Sequence, residues 1–305
     1  MKQRTLKSDF TVSGKGLHTG IVITAHFCPA AENTGIRIRR VDLPGQPTFE
    51  ALADYVTQPR RGTVLENGNW RVSTVEHILS ALYGLGLTNV LIEVNAPEVP
   101  ILDGSARPIV EEILRVGITE QAAEAKEWIV TEPVHFDNGK GSTMTISPAD
   151  RCEVLVDVDY PSPILHEQHA EILDLSDYAE QISKARTFCF LREIEWLLRL
   201  GLIKGGDLNN ALVIYDKPIS QRVLDKMTDK LHQPHLDASK LGYLSPLIYE
   251  NEPARHKLLD LMGDLTLLGV RIRGRIEARC PGHGFNTSCA KQIRKLNTEY
   301  SNYDK

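Results

Sequence analysis

The stretch Arg255-His-Lys-Leu-Leu-Asp-Leu-Met-Gly-Asp-Leu-Thr-Leu-Leu-Gly269 echoes an earlier one, Glu76-His-Ile-Leu-Ser-Ala-Leu-Tyr-Gly-Leu-Gly86. Each begins with a charged residue and a histidine, continues with helical apolar spacing and stops at glycine, and a strand pattern follows each. The pair suggests a duplicated unit: two α+β domains, each offering a histidine early in a helix. A cleft between such domains would receive both.

Outward from these helices the pattern is consistent with that reading. Residues 20–27 and 35–39 alternate at period two, 89–94 reads as a strand, and 106–116 reads as a helix. The run 117–126 is polar and rich in Ala and Glu, and the domain boundary is placed there, giving domains at 1–122 and 127–305. Strands are expected at 128–136, 142–147, 152–160 and 270–279, and helices at 73–83, 175–184, 190–200 and 253–268. Residues 216–251 read as a polar surface excursion.

Composition narrows the function. Against 35 Lys+Arg stand 40 Asp+Glu, a net charge of -5 over 305 residues. Sequence-independent nucleic-acid binding needs the opposite balance. No apolar run is long enough to cross a membrane, and Met1–Phe10 has no apolar core of a signal peptide, so a cytoplasmic protein is expected. The five cysteines, Cys28, Cys152, Cys189, Cys280 and Cys289, contain no CxxC pair. Metal ligands are therefore sought among histidines and carboxylates.

Three elements could carry chemistry. His256 and Asp260 stand four apart, on one helical face, and Asp264 continues the stripe. Two ligands at that spacing let a helix grip a metal; a surface His–Asp ion pair is the plain alternative. Ser73-x-x-Glu76 has the form of a capping box, yet Glu76 beside His77 would also suit a base working next to a ligand. His283, between Gly282 and Gly284, reads as a loop residue, and becomes an acid if Asp264 bonds one ring nitrogen. His232-Gln-Pro-His235-Leu-Asp237 contains an HxD element, but Pro234 breaks it. Arg271, Arg273, Arg275 and Arg279 share a strand face, ordinarily a solvated one.

Six motifs then carry a resemblance over about the whole chain, from Leu6 to Asn286. They are Gly16-Leu-His-Thr-Gly20, Ser73-Thr-Val-Glu-His77, Glu98-Val-Pro-Ile-Leu-Asp-Gly-Ser105, Ala185-Arg-Thr-Phe188, Arg255-His-Lys-Leu-Leu-Asp260 and Gly282-His283. The chain resembles the UDP-3-O-acyl-N-acetylglucosamine deacetylases, zinc enzymes of lipid A biosynthesis. It departs from them in Gly284-Phe285-Asn286 and in a long 217–251 segment.

The resemblance implies two domains, each a β-sheet layered on a pair of helices, packed helix face to helix face, with an insert in each. The second insert, near 188–213, is implied to be βαβ-like and to form an apolar passage that includes Phe190, Ile194 and Trp196. It implies zinc held by His77, His256 and Asp260, with Glu76 as base, His283 as acid, Asp264 holding it charged and Thr187 stabilising the oxyanion. Lys257 would meet the substrate's diphosphate, Phe188 would pack on the substrate, and Leu17 and His18 would line the acyl region. The expected substrate is a UDP-linked acylated glucosamine. A monomer is expected, in some family members fused to a hydroxyacyl dehydratase. The competing classes are a non-haem Fe(II) oxygenase with a two-His-one-carboxylate site and a nucleotide-sugar or lipid binder without catalysis.

Overall fold

The computed structural model describes residues 1–57, 62–194, 204–206, 208–230 and 234–303. Two sheets of identical strand order organise it. The first runs β2 (Phe10–Lys15), β3 (Val22–Pro29), β8 (Val90–Val94), β4 (Ile36–Arg40), β5 (Thr48–Glu50). The second runs β11 (Val134–Asp137), β12 (Thr143–Ser147), β18 (Arg271–Arg279), β13 (Cys152–Val158), β14 (Gln168–Ile172). In each, the strand that follows the His-bearing helix enters the middle. It lies antiparallel to one neighbour (β3 or β12) and parallel to the other (β4 or β13). The duplication suggested by two helical stretches thus extends to the topology.

Each sheet backs onto a pair of helices: α1 (Glu76–Gly84) with α2 (Arg107–Val116), and α5 (Glu252–Thr266) with α6 (His283–Tyr303). The two layers meet through α1 and α5. Both are apolar nearly all round, as central helices are. Every residue of α1 is buried, and in α5 only Arg255 and Lys257 are not. Pro253 sits in the first turn of α5, where its missing N–H costs nothing. The crossing is tight enough to require glycine. A Cβ on Gly263 would lie 2.1 Å from the Glu76 carbonyl oxygen.

The inserts are smaller. Hairpin β6 (Val64–Asn67)–β7 (Trp70–Ser73) leads into α1. In the second half, β15 (Phe188–Phe190) pairs in parallel with β16 (Leu212–Tyr215), which pairs with β17 (Gly242–Tyr243). A parallel pair needs a crossover, as the βαβ-like expectation requires. Its helical start covers 191–194. The remainder of the expected 190–200 helix, with Trp196 and Leu197, lies outside the described residues.

Within the run 117–126, where the domain boundary is placed, β9 (Ile118–Glu124) pairs with β1 (Lys2–Leu6). Four expectations need correction. The 128–136 strand is two, β10 (Glu127–Ile129) and β11, interrupted before Val134, where Pro133 offers no N–H. Residues 175–184 form only a short 3-10 turn and the four-residue α3 (Tyr178–Gln181). The 216–251 excursion is not all loop. It contains α4 (Gln221–Lys230), whose Leu224 and Met227 are buried against Leu191 and Val213. Arg271 is not solvated: it is buried, lies over the Tyr83 ring and donates to the Tyr83 carbonyl at the end of α1.

Because Gly263 faces backbone and not a flexible side chain, Gly263→Ala must push α1 and α5 apart. Overpacking of this kind costs about 1–3 kcal/mol or more. Chemical denaturation should show that loss, and an unchanged unfolding midpoint would refute the crossing described.

Candidate active site

Three helix starts converge on one cavity. His77 occupies the second position of α1, His256 and Asp260 are stacked one turn apart on α5, and His283 opens α6. His283 was expected on a loop. Its flanking glycines suggested that, but the helix begins at this residue, with the Asn286 amide donating to the Gly282 carbonyl.

His256 Nδ1 donates to the Ala185 carbonyl at 3.0 Å, so Nε2 keeps its lone pair for the cavity. That Nε2 lies 3.3 Å from Asp260 Oδ1, and His77 Nε2 lies 3.7 Å from the same oxygen. The imidazole rings stand edge to face, 5.0 Å apart. One donor atom from each of His77, His256 and Asp260 lies within 4.8 Å of the others. Asp260 Oδ1 is buried and accepts no hydrogen bond from the described residues. A buried carboxylate oxygen left so is costly unless a cation meets it. The set of two neutral imidazoles and one carboxylate fits a catalytic zinc ion, with one position left for substrate or water.

Burial pushes the His77 imidazole down to about 3, and lowers His256 as well, which keeps both rings neutral. Burial alone would raise Asp260. His256 and Lys257 outweigh it and hold the carboxyl far below its usual range. Lys257 Nζ is 2.7 Å from Asp260 Oδ2 and 5.4 Å from the Phe188 ring centroid.

Glu76 and His283 flank the trio. The expected capping box is absent. Ser73 ends β7, Val75 is the N-cap without a side-chain bond, and the Ser73 amide donates to the Pro97 carbonyl. Glu76 Oε2 instead accepts from the Thr63 amide at 3.0 Å, and Oε1 lies 3.9 Å from His283 Nε2. Burial pushes the Glu76 carboxyl up to about 7, within reach of base chemistry near neutrality. His283 is raised too, but by a different cause. Burial and a helix N-terminus both disfavour an imidazolium, but Asp264, 2.9 Å from Nδ1, and then Asp260 hold it up at about 10. Asp264 also accepts from Asn286 Nδ2 at 3.0 Å and from the Thr63 hydroxyl.

The cavity, about 370 Å³, is lined by Glu76, His77, His256, Lys257, Asp260 and His283. Thr187, His18 and the apolar Leu17, Phe188, Phe190 and Ile194 also line it. Asp264 stands behind His283. Among the described residues, every one expected at the site is in or against this one cavity; Trp196 lies outside them.

Four residues carried no sequence assignment. Thr63 joins Glu76 to Asp264, Asn286 supports Asp264, and Tyr160 packs between Phe188 and Phe190. Glu98, fully buried, accepts from the amides of His18 and Thr19 at 2.9 Å each. Gly16 lies so close to Glu98 that a Cβ there would be 2.2 Å from its Oε2. Only Glu98 stood in a quoted motif. His235 of the HxD element is exposed and paired with Asp229, and His232 lies outside the described residues.

A donor trio open to a cavity, between a raised carboxyl and a charged imidazole, has the layout of a metal-assisted hydrolase. A family model described as UDP-3-O-acyl N-acetylglycosamine deacetylase matches residues 3–230 and 236–295, and the chain belongs to that family. It is 52% identical over 96% of its length to a protein of Porphyromonas gingivalis named bifunctional enzyme LpxC/FabZ, and 50% identical over 97% to a protein of that name from Bacteroides thetaiotaomicron. It spans 64% and 65% of those two relatives. A UDP-3-O-acyl-N-acetylglucosamine deacetylase of Teredinibacter turnerae is 38% identical over 97% of the chain and 91% of that protein. The family leaves the oxygenase alternative without support.

Because Glu76 caps nothing, its loss should separate chemistry from stability. A carboxyl whose pKa rises on folding imposes a stability cost that grows above its unfolded value and is complete from about 7 upward. Glu76→Gln should keep or raise the unfolding free energy of chelated protein at pH 8, while activity falls about 10²–10⁴-fold. Parallel loss of both would restore a structural role for Glu76.

Proposed function

We propose that the protein removes the N-acetyl group of a UDP-3-O-(hydroxyacyl)-N-acetylglucosamine, giving acetate and the free amine. This would be the committed step of lipid A biosynthesis, carried out in the cytoplasm with zinc. The observation that carries it is the unpartnered Asp260 Oδ1 among two neutral imidazoles, set between Glu76 and His283. The apolar wall of the same cavity suits an acyl chain. Among the described residues no helix is long and apolar enough to cross a membrane. We read residues 1–122 and 127–305 as the two domains.

His77, His256 and Asp260 would hold a zinc ion, which when bound would supply Lewis acidity to the acetamide carbonyl and the attacking water. Glu76 takes the water's proton as oxygen attacks the carbonyl carbon. The Thr187 hydroxyl donates to the developing oxyanion. His283, kept charged by Asp264, gives its Nε2 proton to the departing nitrogen. Lys257, half engaged by Asp260, retains donors for the diphosphate. Leu17, His18, Phe188, Phe190 and Ile194 enclose the acyl chain. Relatives named for both deacetylase and FabZ make fusion to a dehydratase part of this proposal.

Acetate release from the acylated UDP-sugar should vanish with chelator and return with zinc. Turnover that survives full metal removal would defeat the proposal. Activity should rise as pH climbs to about 7, where Glu76 loses its proton, and fall toward about 10, where His283 loses its own. A bound cation would favour the deprotonated form of each group, so both limbs would lie lower in the metal-loaded protein. Asp264→Asn removes the countercharge, so the alkaline limb should move down further. A limb that stays in place would remove His283 from the acid role.

A further inference from the structure

A second group of metal-ligating side chains lies on the outer face of the first sheet, away from the cavity. Alternation along β3 turns Ile23, Ala25 and Phe27 inward, so His26 and Cys28 share the solvent side. Glu93 on β8 stands directly opposite His26 in the antiparallel register. A His-x-Cys on one strand and a carboxylate across from it place three donors at the corners of a small triangle. The sheet separates them from the helices that carry His77 and His256.

The separations match those around a small cation. His26 Nδ1 lies 3.1 Å from Glu93 Oε2 and 3.5 Å from Cys28 Sγ. Zinc bond lengths of about 2.0–2.3 Å put neighbouring tetrahedral N and O donors roughly 3.4 Å apart, and N and S donors roughly 3.6 Å apart. One donor atom of each residue lies within 4.8 Å of the other two.

The surroundings orient each donor. His26 Nε2 is 2.8 Å from Asp9 Oδ2, the outer carboxylate that fixes a ligating imidazole and its tautomer. Arg39 Nη1 holds Glu93 Oε1 at 2.8 Å, leaving Oε2 turned to the ring. All three residues are half-buried, so solvent can complete the coordination.

We propose that His26, Cys28 and Glu93 form a second binding site for a thiophilic divalent cation of the zinc or cobalt type, with Asp9 as the positioning residue for His26. Imidazole, thiolate and a single carboxylate favour such an ion over calcium or magnesium. Without it the cluster keeps protons. The hydrogen bond to Asp9 raises His26, and burial raises the Cys28 thiol. Cation binding releases them.

Cobalt(II) is the discriminating probe, because a thiolate-to-cobalt charge-transfer band requires sulfur and the His77–His256–Asp260 trio has none. The 305-residue chain, dialysed against chelator, is titrated with cobalt(II) in the absence of substrate. The expected result is two equivalents bound, one of them producing the band. Cys28→Ser should abolish the band and leave one equivalent. Cys189→Ser, which alters the cysteine lining the cavity, should leave the band intact. Asp9→Asn should keep the band with affinity weakened about 10- to 100-fold. A wild-type chain without the band, or a band that survives Cys28→Ser, overturns the site. The readout needs no deacetylation, so failure of the proposed activity leaves this result standing.

Discussion

The site depends on the tight crossing of α1 over α5, where the backbone at Gly263 meets the Glu76 carbonyl. The site's other distances follow from it. The same contact that removes room for a side chain at Gly263 places His77 beside His256 and Asp260, and Glu76 beside His283. Both helices are buried on nearly every side, so their polar stripe cannot turn to water. It must find partners inside, and that requirement shapes the residues around it.

Those partners are arranged in two tiers. Ala185 fixes the tautomer of His256, and Lys257 engages one oxygen of Asp260 while the other stays free. Around the second tier, Thr63 and Asn286 satisfy Asp264, which keeps the His283 imidazole charged against both burial and the helix dipole. The result is two neighbouring titratable groups, both raised: a carboxyl that gives up its proton only near neutrality, and an imidazole that keeps its own well above it. Separation of that kind is how one cavity supplies both a base and an acid.

Much of this was legible in the chain. The His256–Asp260–Asp264 stripe follows from helical spacing alone, and the two matching helical stretches announced two matching units. The misreadings have local causes. Ser73-x-x-Glu76 satisfies the pattern of a cap, but Ser73 belongs to a strand and Thr74 adopts a left-handed backbone, φ 63°, that delays the helix start. Gly282 and Gly284 suggest a loop, yet His283 already turns as a helix. Thr63, Asn286 and Tyr160 had no signal, because their partners lie in other elements. Thr63 and Asp264 are 201 residues apart. The pairing of β1 with β9 was hidden because exposed ribbons carry little apolar periodicity.

The matching strand orders have a consequence for asymmetry. At the corresponding helix starts one half presents Glu76 before its histidine, and the other presents Arg255 before its own and Lys257 after it. Two identical halves would have to place the same residue at both positions. Joining the halves in one chain lets each differ, so that a symmetric scaffold acquires polarity: one half brings a carboxyl to the cavity at its helix start, and the other brings Lys257. Direction, in this molecule, is a property of the differences between its two copies of one fold.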